Sequence, residues 1–595
     1  MNMRTSEPND LNNRHLRNRA VAAARGAAGF DILITGGQII DVVTGETRFA
    51  DIGIVGQMIA SVHQPGSRSE AETVIDATGK IITPGLIDTH MHVESSMVTP
   101  SHYAEAVLAR GVTTVVWDPH ELGNVHGIDG VKWAIKATAD LPLRFVILAP
   151  SCVPSAPGLE LSGADFGGAE LEEMLAMPEI GGVAEVMNMR GVIERQERMS
   201  DIVQAGLTSG KPVCGHARGL TGSDLNAFMA AGVSSDHELT SSDDLLEKLR
   251  AGLSIELRGS HDHLLPEFVE ALIVLGHLPQ TITLCTDDVF PDDLEHNGGL
   301  DDVVRRLIRY GLPAQWALRA ATLNAAIRLG RNDLGLIAAG RRADIAIFDD
   351  LENLCADMVI TNGKPVAKNG KLLVNPSHQS TGELTNSVKC SSLKAVDFKV
   401  PSDGQSVRVA TIDRPRFTQW GEAETIVREG FVVPPKGATL ISVTHRHGRA
   451  VPITRVGYLT NWGSWRGAFC TTVAHDGHNL TVFGGNEDDM TIAANSVISE
   501  GGGMAVALGG KIIASLPLPL SGLISDLGLP EISAGFSAIR EAMDEVVDWQ
   551  PPYLIFKACF GATLACNNGP HMTDLGIADV ARSAPLESPV LEILT

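Results

Sequence analysis

The sequence predicts a (β/α)8 barrel inserted into a small β-sandwich domain, followed by a C-terminal α+β domain. Three observations lead there. Eight short apolar runs between residues 82 and 335 are each followed by a helical stretch, in about the length such a barrel needs. Similar short strands flank that region on both sides, and a chain of 595 residues is too long to fold around one core. The resulting organisation is an N-terminal extension over 1–28, a β domain from 29–81 and 336–378, a barrel over 82–335 and a last domain over 379–595.

Residues 1–28 carry Arg4, Arg14, Arg17, Arg19 and Arg25 but no apolar core of the kind a secretory signal has. They read as a mobile or surface-docking extension rather than a targeting peptide. From Phe30 onward, strands are expected at 31–35, 38–41, 51–55 and 58–62, with turns at Gly36, Gly37 and Gly56. That piece is too short to bury a sheet alone. Comparable strands at 344–348, 358–363 and 371–374 supply the missing half of one domain.

The barrel opens on an apolar run from Ile81 and Ile82, punctuated by Pro84 and Gly85, which resumes at Leu86 and Ile87 and ends in His90 and His92. Side chains two apart on a strand point the same way, so both imidazoles can face one metal ion. Further strands are expected at 113–117, 144–148, 182–186, 212–216, 232–236, 253–257 and 281–285. Such barrels carry their chemistry at the C-terminal ends of the strands. Standing there are His90 and His92, Asp118 with His120, Glu185, His216, His237 with Glu238, Arg258, and Asp287 with Asp288. Four histidines and two carboxylates on separate strands form a metal site, and nitrogen and oxygen ligands without thiolate suit zinc, manganese or iron.

Other histidine clusters read differently. His261 with His263, His445 with His447, and His475 with His478 are taken as surface or hydrogen-bonded loop features, and Arg446 inside the second pair opposes a cation. His92-Val93-Glu94 fits the His-x-Glu of zinc nucleobase deaminases of another fold, but their paired cysteines are missing. The stretch from His120 to His126 lacks the i, i+4 spacing that turns two rings toward one zinc.

Beyond 379, strands are expected at 407–411, 439–443, 480–484 and 504–508, and a helix at 539–547. Gly501-Gly502-Gly503 has no Lys-Ser/Thr beside it and is no phosphate loop. A formal net charge of −24 argues against a nucleic-acid partner, and no apolar span of membrane length is present. The eight cysteines are scattered without a Cys-x-x-Cys pair, the usage of a reduced cytoplasmic enzyme acting on a small molecule.

A resemblance sharpens these expectations. His90-Met91-His92 after a Pro-Gly-x-Ile-Asp strand, in a barrel inserted into a small β domain, resembles the amidohydrolase superfamily. Within it, the run from His92 to Met97, Asp118-Pro119-His120-Glu121, Glu185-Val186-Met187-Asn188, Gly215-His216-Ala217, Asp236-His237-Glu238 and Cys285-Thr286-Asp287-Asp288 resemble the adenine deaminases. So do the region from His475 to Asn479, that from Asn486 to Met490, and Gly501-Gly502-Gly503. Many relatives bridge two metals with a carbamylated lysine on the fourth strand, where this chain offers Glu185 and no lysine.

The resemblance implies two divalent ions, manganese first with iron or zinc as alternatives. One would be held by His90, His92 and Asp287, the other by His216 and His237, with Glu185 between them. It implies hydrolytic deamination of adenine to hypoxanthine and ammonia in purine salvage. Glu238 would protonate ring nitrogen N1 and Asp287 would pass a proton to the departing ammonia. Asp288, His120, Asp118 and Arg258 would contact substrate. A homodimer is expected, with no nucleic-acid or membrane partner. The rival enzyme reading is hydrolysis of a cyclic amide or an N-acyl amino acid. The rival of another class is a binding or regulatory protein with a degenerate site, which the full ligand set opposes.

Overall fold

Gly85 divides the opening apolar run into two strands that serve different sheets. Ile81–Pro84 pairs with Ile345–Phe348 and Gln38–Ile40, whereas Leu86–Met91 begins the barrel. The Gly85 amide donates to the Asp344 carbonyl at 3.0 Å. A Cβ there would lie 2.3 Å from Thr113 Oγ1, so no larger residue fits at this crossing. The computed structural model describes residues 11–415, 417–549, 555–582 and 584–594.

The barrel strands are β1 (Leu86–Met91), β2 (Val112–Trp117), β3 (Arg144–Ala149), β4 (Ile180–Val186), β5 (Val213–Gly215), β6 (Ser235–Asp236), β7 (Ser254–Arg258) and β8 (Ile282–Cys285). β1 to β5 form one parallel ladder and β6 to β8 another. Two seams join them. The Asp287 amide donates to the His90 carbonyl at 3.0 Å, and the Ser234 amide to Val213 at 3.0 Å. Val116, Val146, Leu148 and Ala184 fill the interior against Ala325, Ala326 and Leu329, so the barrel is a packed core open for chemistry only at its strand ends.

The flanking pieces form two facing sheets. Phe30–Thr35, Asp51–Val55, Met58–His63 and Ala71–Asp76 make one, and seven strands that include Ile81–Pro84 and Ile345–Phe348 make the other. Their shared core is built largely of isoleucine: Ile32, Ile34, Ile52, Ile54, Ile82, Ile345, Ile347 and Ile360 are all buried. β-branched side chains stack well on pleated surfaces.

The arginine-rich N-terminus is docked where it is described. Arg14–Ala24 is a helix whose Asn13 side chain accepts from the His15 and Leu16 amides. Leu11, Ala20 and Ala23 bury against Leu33, Val55 and Met58, while Arg19 pairs with Asp31 at 2.5 Å. Arg4 lies outside the described residues.

The last domain is a mixed sheet in which Ser406–Asp413, Thr439–Thr444, Thr454–Thr460, Leu480–Gly484 and Gly503–Leu508 are members, packed with the helices Glu487–Glu500 and Leu529–Val546. It lies over the barrel mouth. The Ser525 amide donates to Met97 at 2.9 Å, Asn479 to the Leu161 carbonyl at 2.8 Å, and Arg540 pairs with Asp292 at 2.6 Å. Among the described residues no helix is long and apolar enough to cross a membrane.

A further contact between barrel and last domain is expected to make the fold acid-sensitive. His126 meets Ser521 Oγ at 3.1 Å, and burial, reinforced by Arg446, pushes its imidazole down to about 4. Between that value and the ordinary 6.5, the unfolded chain binds a proton that the folded chain refuses, so stability falls as pH drops through this window. The whole span is at most about 3 kcal/mol. His126→Gln is expected to unfold with a shallower pH dependence between pH 6.5 and 4 than the parent, measured as Tm by calorimetry.

Candidate metal centre and active site

Glu185, at the end of β4, stands between two groups of histidines. Its Oε1 lies 3.7 Å from His90 Nε2 and 3.6 Å from His92 Nε2. Its Oε2 lies 2.6 Å from His216 Nδ1 and 3.2 Å from His237 Nε2. Asp287, at the end of β8, completes the first group, with Oδ1 at 3.4 Å from His90 Nε2 and 3.6 Å from His92 Nε2. Donors held about 2.0–2.2 Å from one ion stand slightly over 3 Å apart, so the gaps of 3.2 to 3.7 Å suit ligands around a cation, while the 2.6 Å between His216 and Glu185 is a hydrogen bond. The backbone of Glu185 is fixed as well, because its carbonyl accepts from Ser151 Oγ at 2.6 Å and from the Cys152 thiol at 3.0 Å.

The chemistry of the donors fits a metal. Among the described residues His90 Nε2 and His237 Nε2 are buried without a hydrogen-bond partner, an arrangement that costs stability unless something binds there. His92 donates from Nδ1 to the Asp118 carbonyl at 3.0 Å, which leaves the Nε2 lone pair directed at the centre. Burial works to raise the carboxyls of Glu185 and Asp287, yet the surrounding histidines, and for Asp287 above all Arg258, hold both well below the usual carboxylate range. Burial lowers His90 and His216 toward the neutral, ligating form. It also acts to lower His92 and His237, but Asp287 beside the first and Glu185 beside the second raise them. Protons held in this way are what a divalent ion displaces on binding.

Asp236 ties together the loops after β5 and β6. Its Oδ1 accepts from the Ala217 amide at 2.7 Å and the Glu238 amide at 3.0 Å. Its Oδ2 accepts at 2.8 Å from Lys248, whose fully buried ammonium also reaches Asp244. His216 and His237, the immediate neighbours of these anchored residues, are thereby set in register. Glu238 is gripped on both oxygens, one by Arg218 at 2.6 Å and the other by Arg258, which also contacts Asp287 and Asp288. Asp287 adopts a left-handed backbone (φ 61°), and its Oδ2 accepts from the Asp288 amide at 2.5 Å. Ser95 donates to Asp288 at 2.6 Å.

Residues 415–584 match the adenine deaminase C-terminal domain, and residues 81–366 match the amidohydrolase family. "Adenine deaminase 2" of Agrobacterium fabrum is 68% identical over 592 residues, 100% of this chain and 99% of that protein. "Adenine deaminase" of Klebsiella pneumoniae is 54% identical over 95% of each chain. The protein of the same name from Methanothrix thermoacetophila is 38% identical, covering 86% of this chain and 89% of its own. The chain belongs to the adenine deaminase family. A metal centre is typical of the amidohydrolases that the barrel matches, and the cluster around Glu185 can hold one.

For a member of this family, the structure brings most of the expected residues to one place. His90, His92, Glu185, His216, His237 and Asp287 share the centre, while Glu238, Arg258, Asp288 and His120 line the adjoining pocket. Asp118 does not line that pocket, although its carboxylate brings one oxygen within 4.8 Å of donor atoms of His92, His120 and Glu185. Its carboxylate turns back to accept from the His120 amide and from His120 Nδ1, both at 3.1 Å, so it orients His120 from behind.

Sequence reasoning missed the opposite wall of the pocket. His475, Asp476, Lys557 and Phe560 from the last domain line it, with Arg218 and His261 from the barrel loops. The His475 to His478 cluster carried the signal, since it combines buried-type histidines with an acid. Read as a hydrogen-bonded loop, it is instead a pocket wall.

Proposed function

We infer that the chain hydrolyses adenine to hypoxanthine and ammonia, with a role in purine salvage. What carries this reading is that a chain matching adenine deaminases from end to end sets one carboxylate, Glu185, between two histidine groups at the barrel mouth, on a strand that has no lysine. His90, His92 and Asp287 would hold one divalent ion, His216 and His237 the other, and Glu185 both, with manganese the proposed occupant. Such a pair supplies a water that is ionised near neutral pH.

The remaining chemistry belongs to this chain's own side chains. Attack at C6 disrupts the aromatic ring unless N1 gains a proton, and Glu238 is placed to take one proton of the attacking water and give it to N1, the second passing through Asp287. Adenine N1 takes the position of Arg258 at one Glu238 oxygen while Arg218 keeps the other. Asp287 takes that second proton and carries it to the amine, which leaves as ammonia. Asp288, fixed by Ser95, hydrogen-bonds the other edge of the purine, and Arg258 keeps Asp287 and Asp288 in mutual register. Phe290 and Phe560, edge to face with centroids 5.7 Å apart, give the ring an apolar surface.

Metal-stripped protein, supplied separately with manganese, iron or zinc, tests the reading through ammonia release from adenine and ring opening of a hydantoin. The expected result is no turnover without metal, restored deamination with it, manganese giving the highest rate, and no hydantoin opening. Hydantoin turnover without adenine turnover would overturn it in favour of a cyclic amidohydrolase.

A further inference from the structure

Outside the six-residue centre, a second set of donors converges where the last domain meets the barrel. Glu121, in the helix His120–His126 that follows β2, is 1% exposed, and neither of its carboxylate oxygens has a hydrogen-bond partner among the described residues. Asp476, also 1% exposed, has an unpartnered Oδ2. His120 donates from Nδ1 to Asp118, because an ionised carboxylate only accepts, and its Nε2 has no hydrogen-bond partner among the described residues. This Nε2 lies 3.7 Å from Asp476 Oδ1. His475 Nδ1 lies 3.6 Å from the same oxygen and 3.8 Å from Glu121 Oε1.

These gaps are too long for hydrogen bonds. They are close to the separation of ligands arranged tetrahedrally about one ion, roughly 3.4 Å for bonds of about 2.1 Å. One donor atom from each of His120, Glu121 and His475 lies within 4.8 Å of the others. Two carboxylates buried to this degree are costly unless a cation offsets them.

We propose that His120, Glu121 and His475, with Asp476 beside both imidazoles, hold a further divalent transition-metal ion of the zinc class, separate from the deamination centre. Two imidazoles and two carboxylates are a borderline-soft donor set, suited to zinc and its neighbours rather than to calcium or magnesium. Because His120 and Glu121 come from the barrel and His475 and Asp476 from the last domain, the ion fastens one to the other. It thereby fixes the pocket wall that His475 and Asp476 form.

The test is metal content per chain in the full-length protein, saturated with zinc, dialysed and measured by plasma mass spectrometry, together with an anomalous map at the zinc edge. Glu121→Gln and Asp476→Asn are each expected to hold one equivalent fewer than the parent. Glu121→Gln removes no hydrogen bond the fold makes, so it keeps the test open if the second variant fails to fold. Glu185→Gln, which breaks the other ligand set, is expected to retain this equivalent, so failure at one centre is distinguishable from failure at the other. An anomalous peak among the four side chains supports the proposal. Unchanged metal content in Glu121→Gln, or a map without zinc between these four residues, would overturn it.

Discussion

Glu238→Gln is expected to retain the metal content of the parent while kcat for adenine falls by about 10²–10⁴, the usual contribution of a positioned proton donor. A hundredfold loss corresponds to about 2.7 kcal/mol of transition-state stabilisation. The geometry makes the substitution informative, because glutamine preserves the size of a side chain held between Arg218 and Arg258 while removing its charge and its ability to take up and give a proton. KM should change little if Glu238 acts at the transition state rather than in ground-state binding. One rival role is open to the same measurement. His216, His237 and Glu238 also bring donor atoms within 4.8 Å of one another, so a variant that loses a metal equivalent along with activity would make Glu238 a ligand. Full activity in the variant would remove it from the chemistry altogether.

The parts of the molecule that sequence made legible share a physical cause. Strands of a parallel barrel are buried on both faces and read as unbroken apolar runs, which is why 113–117 and 144–148 coincide with β2 and β3 to within a residue. β6 is shorter than its apolar signal, two residues where five were expected. There Asp236 spends its carboxylate on loop amides and Lys248, and the backbone turns away from the ladder. The opening run concealed a change of sheet at Gly85, since both halves are buried and no polar residue marks the boundary. Metal-type ligands were legible because each stands at or just past the end of a barrel strand, His90 and His92 sharing the first. The far wall of the pocket was not, because Glu121 meets His475 only through the docking of one domain on another, and no local pattern encodes that approach. Asp118 shows the converse: its position after β2 was readable, but the direction of its carboxylate depends on His120 and could not be.

Glu185→Gln is expected to empty the deamination centre of both ions and to lower adenine turnover by at least about 10⁴, a loss of roughly 5 kcal/mol or more at the transition state. Each oxygen of Glu185 serves a different histidine group, and a neutral amide cannot offer anionic oxygen to both. Its NH₂ must point at either His90 and His92 or His216 and His237, placing a donor where a cation needs an acceptor. Removing the charge also weakens the pull that raises the His237 imidazole, so fewer protons are released when metal is offered to the variant. Glu185→Asp separates bridging from charge, because it keeps the anion but shortens its reach and should hold at most one ion at this centre. Titration of metal-free parent and of both variants with manganese, followed by calorimetry and adenine turnover, reads these outcomes. If Glu185→Gln still binds two ions with parent affinity and deaminates at the parent rate, the carboxylate is a neighbour of the centre and not its bridge.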